Sequence, residues 1–378
     1  MEILIPVATG IESVVKRQLY KLGYEDTKAI NGRIAVNGDF FDIARLNVFL
    51  RSGERVLLVL GKFHAESFDE LYSGVNQINW EDYLSKHAKI LIDGKAVKSK
   101  LGAIKASGGI VKKAIANRLV KAYGLHSDYI VESGERVIVG VSIYEDDVTI
   151  TIDTSGDGLH KRGYRSLAYS APLKETTAAA MIDMSYYNKD KMFADLFCGS
   201  GTLPIECAMK ALNIAPGKNR DFDFKNWICT PKNALESALI EAKDLEKLDT
   251  KLEIFASDIN PKAISIAKYH AKQAGVERYI HFKEMDMRKF TQETPFGVMI
   301  SNPPYAERLG EVDEVKALYK DLGKVYKSLP DWNIYILTGF KGPFEKIIGK
   351  NADKKCRIFN ANIECWYYSY LSKNKPSK

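Results

Sequence analysis

No stretch of the 378-residue sequence holds about 18 consecutive apolar residues, the length that a membrane-spanning helix needs. The opening residues, Met1 to Pro6, lack the basic patch and apolar run of an export signal, so a cytoplasmic protein is expected. Cysteine is scarce: five residues, an odd number, at 198, 207, 229, 356 and 365, with no Cys-x-x-Cys pair. That pattern suits reduced, mostly buried thiols rather than a disulfide framework. The six histidines are scattered, and none has a second ligand at helical spacing, so no metal site is expected. Repeats and low-complexity segments are absent, and only Ser372–Lys378 has the composition of a frayed tail.

The chain is long enough for two or three domains at roughly 100–200 residues each. Its net charge of +7 is modest, but the distribution is uneven. Lys95, Lys98, Lys100, Lys105, Lys112, Lys113, Arg118 and Lys121 follow one another with no acid between them. Such a stripe suits a polyanion, although a solvated helix face has the same composition. Around it, residues 1–153 read as a small α+β assembly. Ile3–Pro6, Arg33–Val36, Arg55–Leu60 and Ile90–Ile92 have strand character, and Arg136–Ile143 with Val148–Ile152 form a hairpin. Helices are expected over Gly10–Leu22, over 66–87, and over Ile110–Tyr123 after the Gly108-Gly109 pair. No acid–base or nucleophile constellation lies in this part, which suggests binding. A turn-rich, cationic segment follows, with Lys161, Arg162 and Arg165 around Tyr164. It reads either as an RNA contact, with cations on phosphate and the ring on a base, or as a linker whose arginines pair with local acids.

From Thr176 onward strands and helices alternate, the pattern of a parallel, doubly wound sheet. The stretch 192–207 stands at its head: an apolar run ends in Asp195, Gly199 and Gly201 follow, and a helical pattern begins at Thr202, a plausible N-cap, with Pro204 in the first turn. A dinucleotide fingerprint fails here. Its third glycine would fall at Pro204, and the next strand-end acid, Asp258, lies far beyond the roughly 20 residues expected. A nucleoside ligand without a pyrophosphate fits better, and S-adenosylmethionine is the common one; an ordinary tight turn is the plain alternative.

Four acids or amides fall at the ends of four successive strands: Asp195, Asp258, Asp286 and Asn302. Strand ends share one rim, where ligands of such sheets bind. Asp195 could attract the cationic amino end of a methionyl group or order water there, Asp258 could accept both ribose hydroxyls, and Asp286 could take an adenine amino proton beside the Met287 backbone. Asn302-Pro303-Pro304-Tyr305 is the sharpest signal. The prolines fix the backbone, so the Asn302 amide oxygen and the Pro303 carbonyl can accept from an exocyclic amine while Tyr305 stacks on its base. Asn-Pro-Pro is also a common rigid turn.

These residues carry a resemblance. The C-terminal part resembles class I S-adenosylmethionine-dependent methyltransferases of the amino-methylating, Asn-Pro-Pro-Tyr type. Nearly the whole chain is similar to THUMP-domain RNA methyltransferases, in particular the bacterial 23S rRNA guanine-N2 enzymes. The matching stretches are Asp153-Thr-Ser-Gly, Leu159-His-Lys-Arg-Gly-Tyr-Arg165, Ala171-Pro-Leu-Lys-Glu, Asp195–Thr202, Ala215-Pro-Gly, Arg220-x-Phe-x-Phe, Trp227, Ser257-Asp-Ile-Asn260 and Ser301–Tyr305. The resemblance implies a Rossmann-like methyltransferase domain over 176–378, a doubly wound sheet with a C-terminal antiparallel hairpin. Ahead of it would stand a ferredoxin-like segment over 1–60, a THUMP RNA-binding domain over 61–155 and a basic junction over 156–175. It implies a cofactor site lined by Asp195, Phe197, Gly199, Ser200, Gly201, Thr202, Asp258, Ile259, Asp286, Met287 and Asn302. S-adenosylmethionine would be consumed there and S-adenosylhomocysteine released. Asn302, Pro303 and Tyr305 would hold the guanine amine. RNA would be met by Lys100, Lys105, Lys112, Lys113, Arg118, Lys161, Arg162, Tyr164 and Arg165. Some relatives carry a second methyltransferase domain, and none is expected here. A tRNA guanine-N2 enzyme, an adenine-N6 enzyme and a non-catalytic RNA binder are the rivals.

Overall fold

The computed structural model describes residues 1–30, 32–127, 129–167, 173–305, 312–360 and 363–373. Residues 361 and 362 of the expected Asn360-Ala-Asn turn, the Ala171-Pro172 step and the tail beyond Lys373 fall outside them.

Two seven-stranded sheets organise the chain. The first contains β1 (Glu2–Pro6), β2 (Lys28–Ile30), β3 (Arg33–Asn37), β4 (Leu57–His64), β5 (Lys89–Val97), β6 (Arg136–Tyr144) and β7 (Asp147–Asp153), in the order β2-β3-β1-β4-β7-β6-β5. Its neighbours are antiparallel except β5 and β6. Strand β4 pairs β1 on one edge and β7 on the other, so the two N-terminal segments share one sheet.

Helices α1 (Glu12–Lys21), α2 (Phe40–Phe49), α3 (Phe68–Asn76) and α4 (Ile104–Ala122) cover this sheet. Helix α2 was not expected; its signal is a capping box, in which the Asp39 carboxylate accepts from the Phe41 and Asp42 backbone N–H groups and Asp42 answers the Asp39 N–H. Helix α3 stops short of the expected 66–87 span, and Trp80 instead turns inward and donates its indole N–H to the Val75 carbonyl at 2.8 Å. Helix α4 begins earlier than expected and takes Gly108 and Gly109 into its interior. A Cβ on Gly108 would lie 3.3 Å from Ile92 Cγ2, so its smallness lets the helix lie close on β5. Burial of Val111, Ile115 and Leu119 outweighs the roughly 1 kcal/mol that each glycine costs a helix.

The second sheet holds β8 (Phe193–Asp195), β9 (Ile254–Asp258), β10 (Ile280–Glu284), β11 (Val298–Ser301), β12 (Asn333–Thr338), β13 (Lys354–Asn360) and β14 (Ile363–Tyr370). The order is β10-β9-β8-β11-β12-β14-β13, with the first five strands parallel, β14 antiparallel to β12 and β13 antiparallel to β14. It is the expected doubly wound sheet with an antiparallel hairpin. Helices α5 (Glu175–Met184), α6 (Thr202–Ala211), α7 (Ala234–Asp244), α8 (Pro261–Gln273), α9 (Val312–Lys327) and α10 (Phe344–Ile348) complete this half. The chain winds outward from β8 in one direction and resumes at β11 in the other, which opens a crevice at their carboxyl ends.

The two halves meet through polar contacts: Arg51 donates to the Ile214 carbonyl at 2.8 Å, the Gly217 N–H donates to the Val48 carbonyl at 2.9 Å, and Arg45 meets Glu241 on α7 at 2.8 Å. Within the first half, Asn47 on α2 donates to the Thr154 hydroxyl at 2.8 Å and accepts from Ser155 at 2.6 Å. Among the described residues no helix is long and apolar enough to cross a membrane.

Candidate functional site

The turn after β8 is built around its acid. Asp195 is 1 % exposed, and its Oδ1 accepts from the Phe197 N–H at 3.1 Å and from the Ser301 hydroxyl at 3.0 Å. Ser301, at the end of β11, also accepts from the Leu196 N–H at 3.2 Å, so one hydroxyl fastens the two central strands at the crevice. Burial, with a smaller push from Asp258, raises the Asp195 carboxyl to about 7. In the structure the Asp195 side chain braces the turn between β8 and β11.

Gly199 has φ +51° and Gly201 φ +88°, the left-handed region where glycine is at ease. A Cβ on Gly201 would sit 3.0 Å from Ala267 Cβ on α8, whereas one on Gly199 would meet nothing within 4 Å. Gly201 thus permits helix packing, and Gly199 leaves open space at the turn. Gly201, rather than Thr202, is the N-cap of α6, and no side chain caps the helix. The Thr202 hydroxyl instead accepts from the Arg165 guanidinium. Ser200 is buried, and its carbonyl faces His270 Nδ1 at 3.1 Å.

Asp258, at the end of β9, takes the Gly199 N–H on Oδ2 and the Asn260 N–H on Oδ1, both at 2.9 Å. The acid of one strand thereby holds the glycine turn of its neighbour, and each carboxylate oxygen has capacity for a further acceptor bond. Beside it Ile259 is 68 % exposed, an apolar surface that a flat base would cover. Asp286 caps the turn after β10; the Arg288 backbone N–H and guanidinium, both bound to it, hold its carboxyl below the usual range. Met287 next to it is buried.

Asn302 and Tyr305 leave the end of β11 and meet each other, the tyrosine hydroxyl donating to the Asn302 amide oxygen. Pro303 is buried and Pro304 exposed. The Pro304 carbonyl accepts from the Tyr319 hydroxyl at 2.6 Å, which also meets Thr338 Oγ1 at 2.8 Å. Tyr319 sits on α9, a helix whose apolar marks Val315, Tyr319, Leu322 and Val325 recur at helical spacing. Asp195, Asp258, Asp286 and Asn302 thus stand at the carboxyl ends of β8, β9, β10 and β11, four adjacent strands of the sheet.

The expected RNA contacts divide. Lys105 and Lys113 are exposed on α4 and pair with no acid among the described residues. Lys100 pairs with Glu66 at 2.6 Å, and Lys161 with Asp157 at 3.2 Å, on the exposed surface where such pairs open readily. Lys112 is half-buried, bound to the Ile90 carbonyl at 2.9 Å and to Glu132 at 2.6 Å. Arg118 is held by Glu81 and by Asn79 Oδ1. Arg162 and Tyr164 are each 3 % exposed and answer the buried carboxylate of Glu206 on α6. Arg165 pairs with the buried Glu175 at 3.2 Å. For Arg162, Tyr164 and Arg165 the RNA expectation is corrected: the local acids, Glu206 and Glu175, claim them.

Comparison with known proteins agrees with this layout. Residues 2–57 match the RlmL ferredoxin-like domain, 65–153 the THUMP domain, and 162–369 the RMKL-like methyltransferase domain. "Putative RNA methyltransferase YpsC" of Bacillus subtilis is 42 % identical over 98 % of this chain and 95 % of its own length. "Ribosomal RNA large subunit methyltransferase K/L" of Psychromonas ingrahamii is 31 % identical over 99 % of the chain, which spans 50 % of that relative. Two crystal structures each superpose with a TM-score of 0.93. "SMU.472, a putative methyltransferase complexed with SAH" is 37 % identical over 99 % of this chain and 98 % of its own, and a "predicted N6-adenine-specific DNA methylase" of Listeria monocytogenes is 42 % identical over 98 % and 96 %. The chain belongs to the RMKL-like methyltransferase family, with the RlmL ferredoxin-like and THUMP domains ahead of its methyltransferase domain.

Proposed function

We propose that this S-adenosylmethionine-dependent RNA methyltransferase transfers its methyl group to the exocyclic N2 of a guanine in 23S rRNA, in the cytoplasm. The observation that carries the methyl-transfer reading is the rim of four adjacent strand ends, with an acid at three and the Asn302–Tyr305 turn at the fourth. The substrate is argued from the THUMP match over 65–153, the exposed cations of α4 and the rRNA relatives. Residues 1–60, 61–155, 156–175 and 176–378 serve as ferredoxin-like support, RNA grip, junction and catalytic domain.

The crevice suits the cofactor. The space above Gly199 admits a ligand backbone, Asp258 can accept from ribose hydroxyls, exposed Ile259 can cover one face of an adenine, and Asp286 with the Met287 backbone can read its edge. Phe197, Ser200 and Thr202 complete the turn around it. S-adenosylmethionine supplies a methyl group already activated on a sulfonium centre, so no strong general base is required. The work left to the protein is alignment and electrostatics. Asn302 Oδ1 is the acceptor for the amine: an entering N–H takes the place that the Tyr305 hydroxyl now fills. The Pro303 carbonyl provides a second acceptor, and both draw density onto the nitrogen. Tyr305, released from Asn302, stacks on the base. Tyr319 and Thr338 fix the Pro304 carbonyl and so the pitch of the turn.

The Asn302 turn would serve an adenine amine equally well, and the Listeria relative bears such a description, so adenine-N6 transfer is the second reading. Mass spectrometry of nucleosides from 23S rRNA and tRNA, purified separately from a strain lacking this gene, decides. Loss of N2-methylguanosine from 23S rRNA alone is expected. Its loss from tRNA moves the substrate, and loss of N6-methyladenosine moves the base.

A further inference from the structure

A cavity of about 470 Å³ lies between the first sheet and the catalytic half, walled by the Pro6–Thr9 loop, Glu54, Lys174 and Thr177 of the α5 start, and Phe359 of β13. We propose that it receives a nucleobase of the substrate RNA next to the one that is methylated. The inference rests on the RNA-methyltransferase reading and adds a subsite to it.

Two lines of contact connect the cavity to the rim. On one side, Lys174 precedes Glu175, which pairs with Arg165 at 3.2 Å, and Arg165 donates to the Thr202 hydroxyl in the glycine turn. On the other side, Phe359 precedes Asn360, the last residue of β13, which pairs with Ile363 of β14. A Cβ on Gly339 would lie 3.0 Å from Tyr305 and 2.9 Å from Ile363, so the hairpin end and Tyr305 close on the same point. The cavity is therefore linked through these contacts to the candidate cofactor turn on one side and to Tyr305 on the other.

Its size and lining suit a base with its sugar. A few hundred cubic ångströms is the ordinary scale of a small-ligand site. Phe359 is half-buried and offers a ring for stacking, which single-stranded nucleic acid uses with little regard to sequence. Glu54 is held in place by the Thr176 hydroxyl at 2.9 Å and the Lys174 ammonium at 3.3 Å. Its remaining lone pairs accept amino protons from a base edge, and Lys174 offers a cation for the adjoining phosphate. The wall from the first sheet is firmly seated. A Cβ on Gly10 would sit only 2.0 Å from the Arg357 carbonyl, so that glycine lets the loop press directly on edge strand β13. The N-terminal sheet then contributes to the acceptor site itself as well as to RNA grip.

The test uses the full-length protein with the photo-crosslinking residue p-benzoylphenylalanine at position 359, and rRNA from a strain lacking this gene. After methyl transfer and irradiation, the crosslinked nucleotide is mapped against the new methyl mark. A crosslink at the nucleotide beside the mark is expected. In parallel, Phe359→Ala should raise KM for that RNA about tenfold, while calorimetric affinity for S-adenosylmethionine stays unchanged and reports an intact fold. Phe359→Tyr, which keeps the ring, should restore KM. Crosslinks only at distant nucleotides, or normal KM in Phe359→Ala, overturn the subsite while leaving the methyltransferase reading in place. A wild-type protein that methylates no RNA overturns both.

Discussion

Removing the Arg162 guanidinium separates a structural role from RNA contact at the junction. It donates to both Glu206 oxygens, at 3.2 and 3.4 Å, to the Leu159 carbonyl at 2.7 Å and to the Arg51 carbonyl. Both side chains are essentially inaccessible, at 1 % and 0 %. Arg162→Met therefore leaves a buried carboxylate without its counter-ion and two carbonyls without a donor. Breaking one side of a buried pair costs about 3–5 kcal/mol, a large share of the 5–15 kcal/mol that holds a typical domain folded. Urea unfolding should register that loss. Arg162→Met combined with Glu206→Leu should recover most of it, because no orphaned charge remains. RNA affinity and its salt dependence, measured where the variant is still folded, should match wild type. A variant of undiminished stability whose RNA binding weakens with a shallower salt slope would refute the structural assignment.

Asn302→Ala should lower turnover by about 10²–10³-fold, the scale for losing one electrostatic contact in a transition state, with calorimetric affinity for S-adenosylmethionine largely kept; persisting turnover removes Asn302 from the amine site. Lys105→Glu with Lys113→Glu should weaken RNA binding and flatten its dependence on log salt by about 1.5, at roughly 0.7–0.9 per phosphate contact. An unchanged slope makes those lysines an ordinary solvated face. Asp195→Asn keeps an acceptor for Ser301 and Phe197 but removes the titration. Because the folded-state value is raised from 3.8 to about 7, the folded protein holds a proton that the unfolded chain has released, and stability declines as pH rises toward 7. Between pH 5.5 and 8 wild type should lose about 2 kcal/mol more than the variant; parallel urea curves would exclude that origin.

The catalytic half is legible from its sequence because its signals are local. Apolar runs ending in Asp195, Asp258 and Asn302 place strand ends within a residue or so, and a glycine turn has few alternatives. What escaped was decided by tertiary contacts. Gly108 and Gly109 look like a helix boundary until β5 is seen lying against Gly108, where a small residue is what the packing needs. Lys112 and Arg118 are cations in a run without acids, yet Glu132 and Glu81 reach them from other elements. Arg162 and Tyr164 carry the composition of an RNA contact because charge and aromaticity do not encode direction. Their partner, Glu206, lies 44 and 42 residues away on α6, beyond any local rule.

That same partner choice determines how binding and chemistry are coupled. Residues 156–167 would have made a flexible tether had their cations been free, and RNA held on α4 could then have reached the crevice in many poses. Instead the Arg220 guanidinium donates to the carbonyls of Asp157 and Gly158 at 2.6 and 2.8 Å, Arg162 bridges Arg51 and Glu206, and Asn47 ties α2 to Thr154 and Ser155. The junction is packed on both sides, so the distance from the basic face of α4 to Asn302 is set by rigid elements. Under the proposed function, target selection depends on the spacing between grip and target base as well as on the base itself. The near-neutral surface pairs of Lys100 and Lys161 fit that division of labour, since they can open toward phosphate at little cost while the buried ones keep the ruler fixed.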